Sequence, residues 1–570
     1  MRRRLPEVLA ALLISLLTAG GLLLDAAAPA RQQGMSLAEI FLGSGEESVM
    51  VGHGVDLLGT VWTFDRVHRM LTGQADIVDA AVFAPFGMDT GAAQGFAWLD
   101  AAIAAPLTHI LGAAGGYNLW LLLMLVATQL ACVALMREVG AAPVTAVAFS
   151  IVAVGNPFVF NEIILGRPTQ VTLAFHALFL LMTHRMLRRG SWRAGMAAGG
   201  LLAASCFVYW FGAIAVGLTA AVAAILHLAM VPQHRREVVI AGLTLSGTAL
   251  LLCVLPTWRI SSAILTGDGA TWVADLTRAP RTLLDLGLLT LQTRGEWLQL
   301  DHPRQLHRRL VEIQLPWTLL AVLVLAIPRD RTSAAWWLSG WFALTIPLGS
   351  AVVIGGVGLL TGLGAAELIF PPIVRCHHIE RMAVAVILVG SMVGAMAVSR
   401  LRHPALVWGL SIAVGIASLT EAHQRTTGRV WVTETTQLIE TLAVTQPGGL
   451  IDVPLETSNE TYFRQVFHRQ PLLGGPGING PFTRPPAHVD YCNNNTLLVA
   501  LEALGQGQPM GDFAAADLAV LWRDGFRTVV LHRTRMRRAP DGVGLRAAGF
   551  VKIGEDDGMV AYRLPTPPAP

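Results

Sequence analysis

Positions 52–73 read GHGVDLLGTVWTFDRVHRMLTG. They follow the first long apolar run of the chain and carry two aspartates, two arginines and two histidines. After Gly54 the apolar residues Val55, Leu58, Val61, Trp62 and Phe64 fit one broad helical face. That pattern predicts a helix lying at a membrane surface, with Trp62 at headgroup depth. Asp65 and Arg69 are four apart and suit an ordinary pair across one turn. Asp56 stands near the helix start, where the helix dipole favours an anion and where a catalytic carboxylate would also fit.

The surroundings explain why such a stretch stands out. Of 570 residues, 53% are hydrophobic and only 14% charged, against about 25% charged in soluble domains. Mean hydropathy is +0.55. The class is an α-helical polytopic membrane protein. A net charge of +3 gives no case for nucleic acid. None of the five cysteines has a CxxC or Cys/His metal spacing. Apolar runs near the roughly 20 residues needed to cross a bilayer predict about eleven spans: 6–27, 117–136, 143–160, 169–185, 194–209, 211–231, 238–257, 314–328, 333–353, 382–398 and 404–420.

Basic connectors at Arg2–Arg4, His184–Arg189, His234–Arg236, Arg329–Arg331 and Arg400–Arg402 all fall on one side of these spans. The positive-inside rule makes that side cytoplasmic. The expected organisation is a transmembrane domain, 1–420, with extracytoplasmic loops 28–116 and 258–313, and a small extracytoplasmic α/β domain, 421–570. In the tail, GLIDVPL (449–455), FRTVVLHR (526–533) and MVAYRL (559–564) read as strands, and DFAAADLAVLWRDG (512–525) as a helix.

Further landmarks follow in order: Phe83-Ala84-Pro85-Phe86-Gly87, Tyr117-Asn118-Leu119 opening a span, and NPFVFNEIILGRPTQ (156–170) with Glu162, Arg167 and Gln170 at a span junction. Late in the chain come PPIVRCHHIERMAVAVIL (371–388) and VFHRQPLLGG (466–475). This order resembles the GT-C glycosyltransferase superfamily, which includes protein mannosyltransferases and aminoarabinose transferases. Bacterial members carry a first-loop Asp followed by a W, then F-x-P-x-G, a Y-N-L span and a G-x-x-x-Q junction, here Gly166 and Gln170. Arg375 and Arg381 take the outer positions of an R-x-P-x-R, with longer spacing and His377-His378 in the proline region. The tail stretch is similar to the group's H-x-x-P-x-x-x-G. Many relatives have Gly-Asp where this chain has Gly52-His53, and Gly-His where it has Gly166-Arg167.

The resemblance implies a membrane glycosyltransferase that moves a sugar from a polyprenyl-phosphate carrier to a glycan, lipid or protein acceptor in the envelope. It implies work at the outer face of the cell (inner) membrane, among membrane lipids. The acceptor hydroxyl needs a carboxylate within hydrogen-bond reach, and the leaving phosphate needs guanidiniums. Asp56 is the candidate base, with Asp65 second. Arg375, Arg381 and Arg167 are candidate phosphate ligands, with Glu162, Gln170 and His53 beside the substrate. A divalent metal ion on His377, His378 and Asp56 is one cofactor reading. The bland readings are arginines snorkelling to headgroups and Glu162 as an interfacial charge. The alternatives for the whole chain are a non-catalytic scaffold or a transporter of lipid-linked substrate.

Overall fold

The computed structural model describes residues 5–42, 48–93, 98–266, 281–285, 290–300, 303–354, 357–369, 371, 373, 378–425, 427–433, 436–445, 448–455, 459–475, 484–537, 543–556 and 558–567. Among them six helices are long and apolar enough to cross a membrane. A seventh is added if Pro143–Val154 and Pro157–Ile164, bent by 40°, form one span. Each of the eleven predicted runs overlaps a helix, with 143–160 covering two and 333–353 running on into strand Ala351–Ile354, but several of the helices are too short to count by length. Ala174–Arg189, Trp317–Leu325 and Arg331–Thr345 have 16, 9 and 15 residues, below the length a bilayer asks for. Two predicted runs share one helix, Trp192–Met230, which breaks at Tyr209 (φ −154°, ψ 100°). A Cβ on Gly217 would lie 3.6 Å from Leu202, so the two arms fold back on each other. Leu99–Glu138 breaks likewise at Gly112 (φ 73°), and only its second arm matches the run predicted at 117–136.

The bundle has two distinct ends. In the first helix, Leu5–Ala26, Glu7 pairs with Arg137 (3.8 Å) and Asp25 with His423 (3.4 Å). Eighteen residues at 1.5 Å separate those pairs by about 27 Å. Basic connectors interlock at the Glu7 end: Arg185 with Glu138 at 2.7 Å, close in sequence to Arg137. Similarly, Arg329 donates to the Arg400 carbonyl (3.1 Å) and Arg331 to the Met230 carbonyl (3.0 Å). The first-loop helix and the tail gather at the Asp25 end.

The tail contains a four-stranded sheet, ordered Gly449–Val453, Phe526–His532, Met559–Arg563, Val551–Glu555, with the first pair parallel and the others antiparallel. Period-two alternation splits its side chains between two apolar cores. Ile451, Val529, Leu531 and Val560 join Leu498, Leu501, Leu518 and Leu521 of two helices on one face. Leu450, Val530, Met559 and Ala561 face the other way, onto Trp62, Val82 and Phe83 of the first loop. Burial on both faces is why these strands read as nearly unbroken apolar runs. The tail is therefore tied to the loop by a shared core, and the ties continue in hydrogen bonds. Phe83 and Ala84 donate to the carbonyls of Gly474 and Leu472 (both 2.9 Å), and Trp62 Nε1 donates to Gln465 Oε1 (2.9 Å). Beneath them Arg66 and Asp79 form a buried ion pair at 3.1 Å, with side chains 5% and 4% exposed. Burial raises the Asp79 carboxyl from its ordinary range against the pull of Arg66.

Candidate active site

The predicted first-loop helix spans Val55–Leu71. Just before it, strand Ser48–Val51 pairs antiparallel with Val430–Thr433 of the tail. The strand is also fixed from the membrane side. Asn118 Oδ1 accepts from the Val51 N–H (2.9 Å), its Nδ2 donates to the Val49 carbonyl (2.7 Å) and to the Ile40 carbonyl, and Tyr117 Oη donates to the Val51 carbonyl (3.2 Å). All of this is buried, so each bond replaces water that is not there. The Tyr-Asn pair thus clamps the entry to the Asp56 helix.

The partner element is Pro157–Ile164. Asn156 caps it by accepting from the Val159 N–H (3.1 Å), and Pro157 takes the first turn, where no N–H partner is needed. It ends at Gly166 in the left-handed region (φ 69°). This end and the start of the Asp56 helix meet backbone to backbone. His53 N–H donates to the Ile164 carbonyl (2.8 Å). A Cβ on Gly52 (φ 101°) would come within 2.4 Å of the Ile163 carbonyl oxygen, and one on Gly166 within 2.6 Å of Leu57 Cβ. Only glycine permits both the dihedrals and the approach.

That contact sets the charges. Arg167 Nε donates to Asp56 Oδ2 at 2.9 Å, and its Nη1 lies 3.7 Å from Glu162. Arg381, from the start of the late span, reaches the same Asp56 oxygen at 3.8 Å and Tyr209 Oη at 3.4 Å. With its amide oriented to satisfy both neighbours, Gln170 accepts from Arg381 Nη1 (3.1 Å) and donates to Glu162. Glu162 and Arg381 are 3% and 11% exposed, whereas Asp56 is 37% exposed. Two carboxylates and two guanidiniums therefore balance in a half-buried cluster that opens at Asp56. Such a cluster can hold an anion on its cations and a hydroxyl on its exposed carboxylate.

Of the expected residues, the structure brings together Asp56, Arg167, Glu162, Gln170 and Arg381. Asp65 goes elsewhere. Nine residues at 100° each put it on the opposite face from Asp56, where it binds Arg469 of the tail bidentately rather than pairing with Arg69. The ring of His53 packs on Trp431 at 5.1 Å. Arg375 and His377 lie outside the described residues. His378 pairs with Glu380 at 3.1 Å. Among the described residues no group of three or more His, Cys, Asp or Glu side chains could hold a metal ion. The ion partners of Asp56 are two guanidiniums. Tyr209, which the sequence analysis does not single out, joins the cluster through Arg381. The signal for its role is the break in its own helix, which only the structure shows.

No family model and no curated protein matches the chain. Solved structures do. Arabinofuranosyltransferase AftD from mycobacteria aligns over 99% of this chain and 40% of its own, with 14% identity and a TM-score of 0.52. ArnT from Cupriavidus metallidurans aligns over 95% and 99% respectively, with 10% identity and a TM-score of 0.48. The oligosaccharyltransferase of Archaeoglobus fulgidus aligns over 92% and 69%, with 12% identity and a TM-score of 0.44. The chain spans two fifths of the length of AftD, and at these identities the likeness is one of fold. The membrane fold this chain adopts resembles that of AftD.

Proposed function

We propose that this protein is a membrane glycosyltransferase that moves a sugar from a polyprenyl-phosphate carrier to an envelope acceptor. The observation that carries the reading is the convergence of Arg167 (2.9 Å) and Arg381 (3.8 Å) on one oxygen of a partly exposed Asp56. Three distant segments are bent to make that contact. Chemically, the acceptor hydroxyl attacks the anomeric carbon while the bond from that carbon to the phosphate oxygen breaks. The hydroxyl proton passes to the partly exposed Asp56 carboxylate. The departing phosphate keeps its negative charge, which Arg381 and Arg167 stabilise. Arg375 is the further phosphate ligand on this reading, Glu162 and Gln170 hold the guanidiniums in place, and Asp65 and His53 have supporting roles away from the reacting atoms.

On the same reading the Asp56 face and the tail lie outside the cytoplasm, at the outer surface of the inner membrane, and the N-terminus lies inside. The interlocked basic connectors at the other end of the bundle support this orientation. The test uses purified protein in lipid with radiolabelled polyprenyl-phosphate sugars, scoring release of free polyprenyl phosphate. Asp56→Asn abolishes turnover while thermal stability stays at the wild-type value. Unimpaired turnover in a folded Asp56→Asn protein would remove Asp56 as the base. No turnover by the wild type with any donor would favour a scaffold or transporter.

A further inference from the structure

Strand Trp297–Gln299 and helix Pro303–Glu312 flank an open surface cavity of about 360 Å³ outside the Asp56 cluster, within the roughly 300–1,000 Å³ of small-molecule sites. Its lining includes Glu296, Trp297, Gln299, Arg308, Arg309 and Glu312. Trp297 is a fixed ring: its Nε1 donates to Thr293 (2.7 Å), and the Arg281 guanidinium lies 5.6 Å from its centroid. The charges are mutually matched, with Arg308 on Glu312 at 3.1 Å and Arg309 on Glu312 at 3.5 Å and Glu296 at 3.9 Å. Two cations and two anions leave the lining with no net charge, but with a dense set of planar donors and acceptors. That chemistry neither selects an anion nor suits an apolar guest. It suits a neutral molecule with many hydroxyls and one C–H face to lay on an indole.

Packing links the cavity to the segment that carries Arg381. Leu348 lines it, and the next residue, Gly349, comes so close to the Glu296 carbonyl that a Cβ there would lie 2.7 Å from it. The same Cβ would be 3.8 Å from Ile379 Cδ1, two residues before Arg381. We propose that this cavity is a binding subsite for a neutral oligosaccharide, the acceptor glycan, feeding a hydroxyl towards Asp56. The acceptor role rests on the glycosyltransferase reading; the saccharide binding stands independently of it.

Saturation-transfer NMR on the full-length protein in nanodiscs tests the binding, with arabinan- and galactan-derived pentasaccharides as probes. An oligogalacturonate and an uncharged heptapeptide serve as competing classes. Wild type is expected to bind a neutral pentasaccharide, and Trp297→Ala and Gln299→Ala each to weaken it tenfold or more. Gln299 is exposed at the strand end, so its variant carries the test if loss of the indole disturbs folding. Absence of neutral-sugar binding to wild type, preference for the oligogalacturonate or the peptide, or unchanged affinity in both folded variants overturns the proposal. Donor cleavage is assayed separately on the same preparations. Sugar binding without cleavage leaves the subsite standing and removes the transferase reading, and cleavage without sugar binding does the reverse.

Discussion

Gly166→Ala tests the site without removing any reacting group. The residue sits at φ 69°, where an alanine costs about 1–2 kcal/mol. Its new Cβ would also lie 2.6 Å from Leu57 Cβ, 3.3 Å from the Leu57 nitrogen and 3.4 Å from its Cα. Reaching ordinary contact, which begins at 3.4 Å, requires the two elements to part by about 0.8 Å. Leu57 is fully buried, and two of the three atoms met are backbone, so no rotamer change relieves the overlap. The next residues on either side are Asp56 and Arg167. A displacement near 1 Å at reacting groups costs about a hundredfold in rate, so turnover of the polyprenyl-phosphate sugar should fall by about that factor.

The control is Gly140→Ala. Gly140 has φ 91° and nothing within 4 Å of an added Cβ, so it carries a comparable dihedral cost and no overlap. It lies in the turn after Leu99–Glu138, at the Glu7 end of the bundle. Gly166→Ala should lose more thermal stability than Gly140→Ala, by the about 1–3 kcal/mol of an overpacked contact, and only Gly166→Ala should lose activity. Turnover of Gly166→Ala within twofold of wild type would refute the reasoning, because the Asp56–Arg167 contact would then be dispensable. Equal loss in both variants would refute it too, since backbone strain alone would explain the effect.

Two further outcomes follow from the described geometry. Asn118→Ala leaves the Val51 N–H and the carbonyls of Val49 and Ile40 buried without their partner, at about 1–3 kcal/mol for each orphaned group; thermal unfolding should show a loss of about 3 kcal/mol or more, and a loss under about 1 kcal/mol would mean the clamp is not what holds the strand. In the tail, burial pushes the His468 imidazole down to about 4 against the opposing pull of Asp452, so the unfolded chain takes up the proton first. Stability should be flat above the ordinary histidine value of about 6.5 and fall as pH drops from there towards 4; burial moves His488 the same way. His468→Gln should flatten part of that slope in pH-dependent unfolding, and an unaltered slope would exclude His468 as a source.

Legibility differed by physical cause. The Val55–Leu71 helix was readable because its apolar face has helical period, whereas the helix Pro157–Ile164 was hidden inside the run read as one span, 143–160. The tail strands were readable as short apolar runs between turn residues. What covers them was not, since Trp62 and Phe83 lie hundreds of residues away. The span count blurred where a helix bends instead of ending: neither Tyr209 nor Gly112 carries a proline-like mark of its break. Asp56 was legible as an acid near a helix start and Arg381 as a cation before a late span, but their meeting depends on the backbone contact at Gly52 and Gly166. Asp65 misled for a related reason. Its Arg69 neighbour was visible in the sequence, whereas Arg469, its actual partner, comes from the tail.

The same geometry divides the work of the residues at the start of the first-loop helix. His53 docks its backbone N–H on the Ile164 carbonyl while its ring turns to Trp431. Three residues on, within one turn, Asp56 emerges beside the helix start and meets Arg167. The guanidinium reaches the Asp56 carboxylate at 2.9 Å, and its charge does not depend on pH. Arg167→His should leave Asp56 with a weaker and pH-dependent partner.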